Sequence, residues 1–157
     1  MSKFPITAIF RRMKTIILYY SHSGNTKALA QKRVLELGAD IEEIVEVRKP
    51  FLAIGLCRAI MRKKTAIQPI KAQLDSFDRI IIMSPVWASR PVSAINSVME
   101  CLPGGKKVEF IMVSAGGGTR ASVEKTKELV TMRGCEVTGY TDVQVKRKGD
   151  KVFAQKL

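Results

Sequence analysis

Short apolar runs alternate with helix-like segments along most of the chain, and this alternation limits the possible folds most strongly. Five runs have the apolar, β-branched and aromatic content of strands: residues 15–20, 41–47, 79–86, 107–115 and 135–145. The intervening segments 25–38 and 119–134 have apolar residues near helical spacing and end in glycine. This repetition predicts an α/β, doubly wound fold, in which helices cover both faces of a parallel sheet.

The residues after the fifth predicted strand are too few for a full closing helix. Gly149 and Asp150 lie between two short alternating segments, a pattern that favours a hairpin and an antiparallel edge strand. A chain of 157 residues predicts a single domain over 1–157. Within it, we assign residues 1–13 as an N-terminal extension and 146–157 as a short tail.

The net charge of +13 is concentrated in three peripheral segments, 1–14, 48–64 and 145–157. Such segments can form a solvated surface, or attract acidic proteins, anionic lipid or nucleic acid. An acidic protein is a candidate partner here, whereas nucleic acid is not expected. Residues 51–64, "FLAIGLCRAIMRKK", combine apolar bulk with a basic end. They could lie on an anionic membrane, but covering the sheet is the more economical role.

Cysteine usage and apolar run length limit the compartment. The three cysteines are widely spaced without a CxxC pair, which indicates neither a disulfide framework nor a metal site. A reducing compartment, the cytoplasm, is expected. No apolar stretch approaches the roughly 20 residues of a membrane-spanning helix, so no membrane span is predicted.

Three loops with ligand-binding composition follow the first, third and fourth predicted strands: "SHSGNT", "SPVWASRP" and "SAGGGT". Ligands of doubly wound sheets bind beyond the carboxyl ends of the strands, so these loops should converge. In the first loop, hydroxyls and backbone amides at a helix start can hold a phosphate without lysine or arginine, and Gly24 permits close approach. The loop contains neither a Walker A motif nor GxGxxG. An ordinary helix cap explains one such polar residue but not five.

The second and third loops suit a flat ring. Trp87, the only tryptophan, directly follows a buried strand and can border a heteroaromatic ligand. The run of three glycines within 114–118 leaves backbone amides uncovered, so that they can lie against a ring system. Taken alone, a glycine-rich loop is more often a turn than a site. The three loops together predict a site for a phosphorylated, ring-containing ligand.

These loops resemble those of the flavodoxin family. "TIILYYSHSGNTKALA" is similar to the family's phosphate-binding segment, "FDRIIIMSPVWASRPVSAIN" to the third strand and ring-binding loop of short flavodoxin-like proteins, and "FIMVSAGGG" to their fourth strand and glycine loop. The resemblance spans residues 14–145. It implies a five-stranded parallel sheet of order 2-1-3-4-5 and FMN as cofactor. It assigns the FMN phosphate to Ser21, His22, Ser23, Gly24, Asn25 and Thr26. It assigns the isoalloxazine ring to Pro85, Val86, Trp87, Ala88, Ser114, Ala115, Gly116, Gly117 and Gly118.

The chain departs from the family in its basic charge, its extension and its missing last helix. Without that helix, one face of the sheet would expose apolar side chains of the third and fourth strands. We therefore expect either a homodimer or a cover supplied by the extension, through Phe4, Ile6, Ile9 and Phe10.

No nucleophile, base and orienting group occur together in the three loops, which suits redox work by a bound flavin. Arg90 is a candidate for contact with an anionic substrate, or an ordinary surface arginine. His22, the only histidine, is expected to face solvent. We predict an FMN-binding flavodoxin-like protein acting in electron transfer, with a redox partner protein or a small electron acceptor. A carrier of single electrons is one interpretation, and an NAD(P)H-dependent flavin or quinone oxidoreductase is the alternative. A binding module that has lost redox activity is a third.

Overall fold

A computed structural model describes residues 12–49, 51–116, 118–148 and 151–156. The strands are β1 Thr15–Tyr19, β2 Asp40–Glu43, β3 Arg79–Trp87, β4 Arg90–Pro91, β5 Lys107–Ser114, β6 Glu136–Lys148 and β7 Lys151–Lys156. The helices are α1 Asn25–Leu37, α2 Leu52–Ile60, α3 Ser93–Glu100 and α4 Val123–Thr131, with short 3-10 turns at Leu74–Ser76 and Arg120–Ser122. All five predicted strands are present, and the second is shorter than its apolar run.

The sheet has the predicted doubly wound topology. Its strand order is β2-β1-β3-β5-β6-β7, with the short β4 paired to β3. The first five strands of this path pair in parallel, which confirms the predicted order 2-1-3-4-5. β7 pairs antiparallel to β6, from Val143 opposite Lys156 to Lys148 opposite Lys151. The predicted edge strand is therefore confirmed, and its turn residues 149 and 150 lie outside the described residues.

Both faces of the central strands are buried, which explains why these strands are apolar without alternation. On one face, Ile82 and Phe110 pack with α3 residues such as Ile95 and with Val130 of α4. On the other face, Ile81 and Ile111 belong to a second cluster that includes Ala30 of α1. The sheet is therefore the middle of three layers, with helices on both faces. The loops that follow its strands lie at its edge.

The α1 face is the one that a fifth helix would share. Beside α1 it carries a groove of about 360 Å³ whose lining includes Leu29, Met83 and Val143. Met83 itself is buried. Residues 1–11, which include the predicted cover, lie outside the described residues. Cover by the extension or by a second copy therefore stays a prediction.

None of the described helices combines the length and the apolar character that a membrane crossing requires.

Candidate functional site

The three predicted loops leave the sheet at the same edge. β1 pairs with β3 through Tyr19 and Met83, and β3 pairs with β5 through Pro85 and Val113. Neighbouring strands lie about 4.8 Å apart, so the loops after these three strands start side by side. The first loop is also tied to β3, because the Tyr20 N–H donates to the Met83 carbonyl at 3.1 Å.

Ser21 organises the first loop. Its Oγ accepts the backbone N–H groups of Gly24 at 3.1 Å and Lys27 at 3.3 Å. Gly24 caps α1 at φ 89°, a left-handed conformation that favours glycine, and makes no side-chain capping bond. The Ser21 hydroxyl proton is still available to a ligand, but its oxygen serves the loop.

The start of α1 leaves polar groups unused. The backbone N–H groups of Asn25 and Thr26 find no acceptor among the described residues. The Oδ1 atom of Asn25 is buried, also without a hydrogen-bond partner in the described part of the chain. Nothing lies within 4 Å of the position where a Cβ of Gly24 would be. Unpaired amides at the positive end of a helix dipole, with free space beside them, fit a phosphate group.

Two tyrosine–glutamate pairs brace the strand end from which the loop departs. The Tyr19 hydroxyl donates to Glu43 at 3.1 Å, and the Tyr20 hydroxyl donates to the buried Glu46 at 2.9 Å. Burial disfavours the phenolate, and together with the bond to Glu43 it raises the pKa of Tyr19 to about 12. Burial and Glu46 also raise the pKa of Tyr20. Both hydroxyls are therefore protonated donors at neutral pH.

The second loop is a tight hairpin. Val86 pairs with Pro91 and Trp87 with Arg90, which leaves Ala88 and Ser89 as the turn. Both turn residues have positive φ, 51° and 58°. This arrangement is that of a type I′ turn, which matches the twist of a hairpin but favours glycine or asparagine. Ala88 and Ser89 therefore hold a conformation that costs a non-glycine residue free energy.

Trp87 lies between the first loop and α2. Its ring is edge-on to that of His22, with centroids 5.4 Å apart, and to that of Tyr20 at 6.4 Å. On its other side, a Cβ added to Gly55 would lie 2.4 Å from Cζ3 of the indole. His22 is exposed, as expected, but it also contacts Trp87. The first and second loops thus form one continuous surface.

The third loop is anchored to β6. Ser114 is buried, Ala115 and Gly116 are exposed, and Gly117 lies outside the described residues. Gln144 donates from Nε2 to the Ala115 carbonyl at 3.3 Å. A Cβ on Gly118 would come within 2.8 Å of a carboxylate oxygen of Asp142, so the loop approaches β6 too closely for a side chain there.

A buried threonine completes the anchor. Thr119 donates to Asp142 from its backbone N–H at 3.1 Å and from its hydroxyl at 2.6 Å. Tyr140 donates to the Thr119 hydroxyl oxygen at 2.8 Å, and burial raises the pKa of this tyrosine. Sequence reasoning missed Tyr140, Asp142 and Gln144. Their spacing of two along one strand was the available signal, because alternate residues share a face.

Two arginines lie close together beside the second loop. Arg90 donates from Nη1 to the carbonyl of Ile60, at the end of α2. Burial and the positive charge of Arg90 lower the pKa of Arg62. Two cations near each other leave a local positive field that an anion would relieve. Among the described residues no group of three or more His, Cys, Asp or Glu could hold a metal ion.

This sheet, with three loops side by side at the carboxyl ends of its strands, defines a flavodoxin-like protein. A sequence profile of the family described as NADPH-dependent FMN reductase matches residues 13–145. The chain therefore belongs to the NADPH-dependent FMN reductase family.

Solved structures agree with this fold. A flavoprotein from Lactobacillus acidophilus NCFM, determined in complex with FMN, is 29% identical with a TM-score of 0.71, over 83% of this chain and 93% of that one. The NMR structure of the apo-form of the flavoprotein from the same organism is 25% identical with a TM-score of 0.67, over 82% and 91%. A flavodoxin, WrbA-like protein from Agrobacterium tumefaciens shares the fold at 15% identity and a TM-score of 0.56, over 79% and 75%. A search of curated proteins found no match.

Proposed function

We propose that the protein is an FMN-dependent oxidoreductase that takes hydride from NAD(P)H and passes electrons to a small acceptor such as a quinone. FMN is the cofactor. The observation that carries the proposal is the start of α1, where the backbone N–H groups of residues 25 and 26 and the buried Oδ1 of Asn25 have no partner among the described residues. Residues 21–26 bind the phosphate. Residues 85–88 and 114–118 contact the ring.

The chain's own groups bind and orient, while the flavin supplies the redox chemistry by accepting hydride and releasing electrons. Ser21 holds the phosphate loop in shape through its two backbone hydrogen bonds. The hydroxyl group of Ser23 donates to the phosphate. Trp87 forms an apolar wall beside the ring, and the Thr119–Asp142 pair keeps the glycine loop at the sheet edge. Such fixed donors lower the reorganisation that binding would otherwise require.

Two features favour the enzyme over a carrier. The first is membership of a family described by NADPH-dependent reduction of FMN. The second is the pair of Arg62 and Arg90 beside the second loop. The hydride donor NAD(P)H carries phosphate groups, and guanidinium groups bind phosphate well. The alternative is a carrier of electrons between proteins. It requires an exposed ring edge but no donor site. We propose a cytoplasmic location for either function.

Anaerobic mixing of the FMN-loaded protein with NADPH or NADH tests the proposal. The enzyme should lose the visible absorbance of its oxidised flavin rapidly, and reoxidise when a soluble quinone is added. Arg62→Gln and Arg90→Gln should raise the KM for the nicotinamide donor while FMN stays bound. Arg120→Gln, an exposed arginine of the short turn before α4, is the matched control. A flavin that dithionite reduces but neither nicotinamide reduces would contradict the enzyme and favour the carrier.

A further inference from the structure

α2 faces the protein with its small residues and faces outward with its large ones. Gly55 and Ala59 are its buried residues. Phe51 is 84% exposed and Leu52 is 60% exposed. The other large apolar side chains exposed in this segment are Ile54, Leu56, Ile60 and Met61. The expectation that the apolar bulk of this segment covers the sheet is therefore wrong for its large side chains.

The contact with Trp87 explains this orientation. A side chain at position 55 would collide with the indole, so glycine lets the helix approach. Ala59, one helical turn further, continues the same narrow contact face. Because only small residues fit against the second loop, the large apolar side chains of this segment are left exposed to solvent.

The exposed apolar residues are surrounded by positive charge. No acidic residue occurs between Glu46 and Asp75. Lys64 pairs with Glu100, and Arg58 donates to the Thr65 hydroxyl. The six cations of this region are Arg48, Lys49, Arg58, Arg62, Lys63 and Lys64. Lys49 and Lys63 are exposed, and no hydrogen bond or ion pair engages their side chains within the described structure. We call this combination of exposed apolar residues and cations the α2 surface.

The chemistry of the α2 surface selects among its possible occupants. A second copy docked through the same surface would place the exposed, unpaired cations of each protomer against those of the other, which is unfavourable. Protein interfaces are depleted in lysine and draw their binding energy chiefly from Trp, Tyr and Arg. Helices that lie in a membrane interface instead typically combine aliphatic side chains with lysines. The lysines can extend their ammonium groups towards lipid phosphates.

We propose that the α2 surface docks onto an anionic phospholipid membrane, with α2 lying in the plane of the interface. The apolar residues 51, 52, 54, 60 and 61 enter the headgroup boundary, and the exposed side chains of Arg48, Lys49 and Lys63 contact lipid phosphates. The protein is then bound peripherally, and α2 separates the membrane from the Trp87 loop because the buried Gly55 lies against that indole. This inference does not rest on the proposed enzymatic activity.

Vesicle co-sedimentation of the full chain tests the proposal. We expect binding to vesicles of phosphatidylglycerol mixed with phosphatidylcholine, little binding to phosphatidylcholine alone, and release as salt rises. Leu52→Ser/Ile54→Ser should weaken binding at least about tenfold. The matched control is Leu35→Ser/Met132→Ser, which removes two exposed apolar side chains outside the α2 surface and should bind as the wild type does.

Charge is tested separately. Lys49→Glu should weaken vesicle binding, whereas Lys32→Glu on α1 makes the same change of charge away from the α2 surface and should not. Circular dichroism and thermal unfolding confirm that each variant is folded.

Either of two outcomes overturns the proposal. One is the absence of sedimentation with anionic vesicles. The other is sedimentation that Leu52→Ser/Ile54→Ser leaves unchanged. If vesicle binding is absent and Leu52→Ser/Ile54→Ser instead converts a dimer into a monomer in light scattering, the occupant is a second copy. If vesicle binding is absent and the same variant abolishes co-elution with an acidic redox protein such as a ferredoxin, the occupant is a protein.

Discussion

Thr119 and Asp142 are joined by two hydrogen bonds, from the threonine backbone N–H at 3.1 Å and from its hydroxyl at 2.6 Å. Thr119 is fully buried, and it directly follows the glycine loop. This pair fixes the position at which the chain leaves the glycine-rich loop and leads towards α4. It links the geometry of the proposed ring site to a strand that carries none of the predicted ligand contacts.

Asp142→Ala should weaken FMN binding, because the loop after β5 loses its anchor and Thr119 loses its acceptor. We expect a loss of about tenfold in FMN affinity and of about 2 kcal/mol in stability. Asp142→Asn keeps one hydrogen-bond acceptor, the amide oxygen, and should lose less FMN affinity and less stability. Fluorescence titration and thermal unfolding measure the two effects. Equal FMN affinity in Asp142→Ala and the wild type would contradict the anchoring role.

Ser23→Ala and Thr26→Ala should weaken FMN more than riboflavin, because only FMN carries the phosphate that these residues are proposed to contact. We expect a loss of roughly tenfold for FMN per hydroxyl, from one hydrogen bond to a charged group. Riboflavin affinity should hardly change. Calorimetric titration with both ligands checks this, and equal losses for the two would remove the phosphate from this loop.

All three tyrosines should resist ionisation in the folded protein. Their pKa values are raised, to about 12 for Tyr19, chiefly because burial disfavours the phenolate. The folded chain then holds protons that the unfolded chain releases. The stability contributed by Tyr19 is therefore complete below pH 10 and is lost as pH rises from 10 to about 12. Ultraviolet titration of the native protein should show little tyrosinate at pH 10.

Denaturant melts complete this test. Between pH 10 and 12 the fall in stability should be shallower for Tyr19→Phe than for the wild type. Half-ionised tyrosines in the folded protein at pH 10 would contradict the assigned burial.

Ser89→Gly should stabilise the protein, because Ser89 holds φ 58° in the second loop. Relief of the left-handed conformation outweighs the extra entropy of glycine in the unfolded chain, so we expect a gain of about 0.5–1 kcal/mol. Ser76→Gly is the control, because Ser76 is not among the residues with positive φ. The same change at this position should destabilise the protein. Denaturant unfolding compares them. A destabilised Ser89→Gly would mean that the serine side chain contributes more than the turn costs.

The sheet was predictable from the sequence because its central strands are apolar on both faces. In β3, residues 80–83 form an unbroken apolar run, and all four are buried. Parallel pairing and loop convergence then follow from the topology of doubly wound sheets.

The orientation of α2 and the anchor on β6 were not predictable in the same way. Nearly every residue of α2 is apolar, so periodicity alone does not say which side faces inward. Its inward side is decided by the long-range contact between Gly55 and Trp87. The anchor of Thr119 on Asp142 likewise joins residues 23 positions apart.

The fluorescence emission of Trp87 tests whether FMN lies between the three loops with its isoalloxazine ring beside this side chain. Trp87 is the only tryptophan of the chain, so its fluorescence reports on one position. We expect FMN to quench this emission strongly and saturably, and removal of the cofactor to restore it. Emission that stays unchanged while equilibrium dialysis shows FMN bound would place the isoalloxazine ring away from Trp87 and from the three loops.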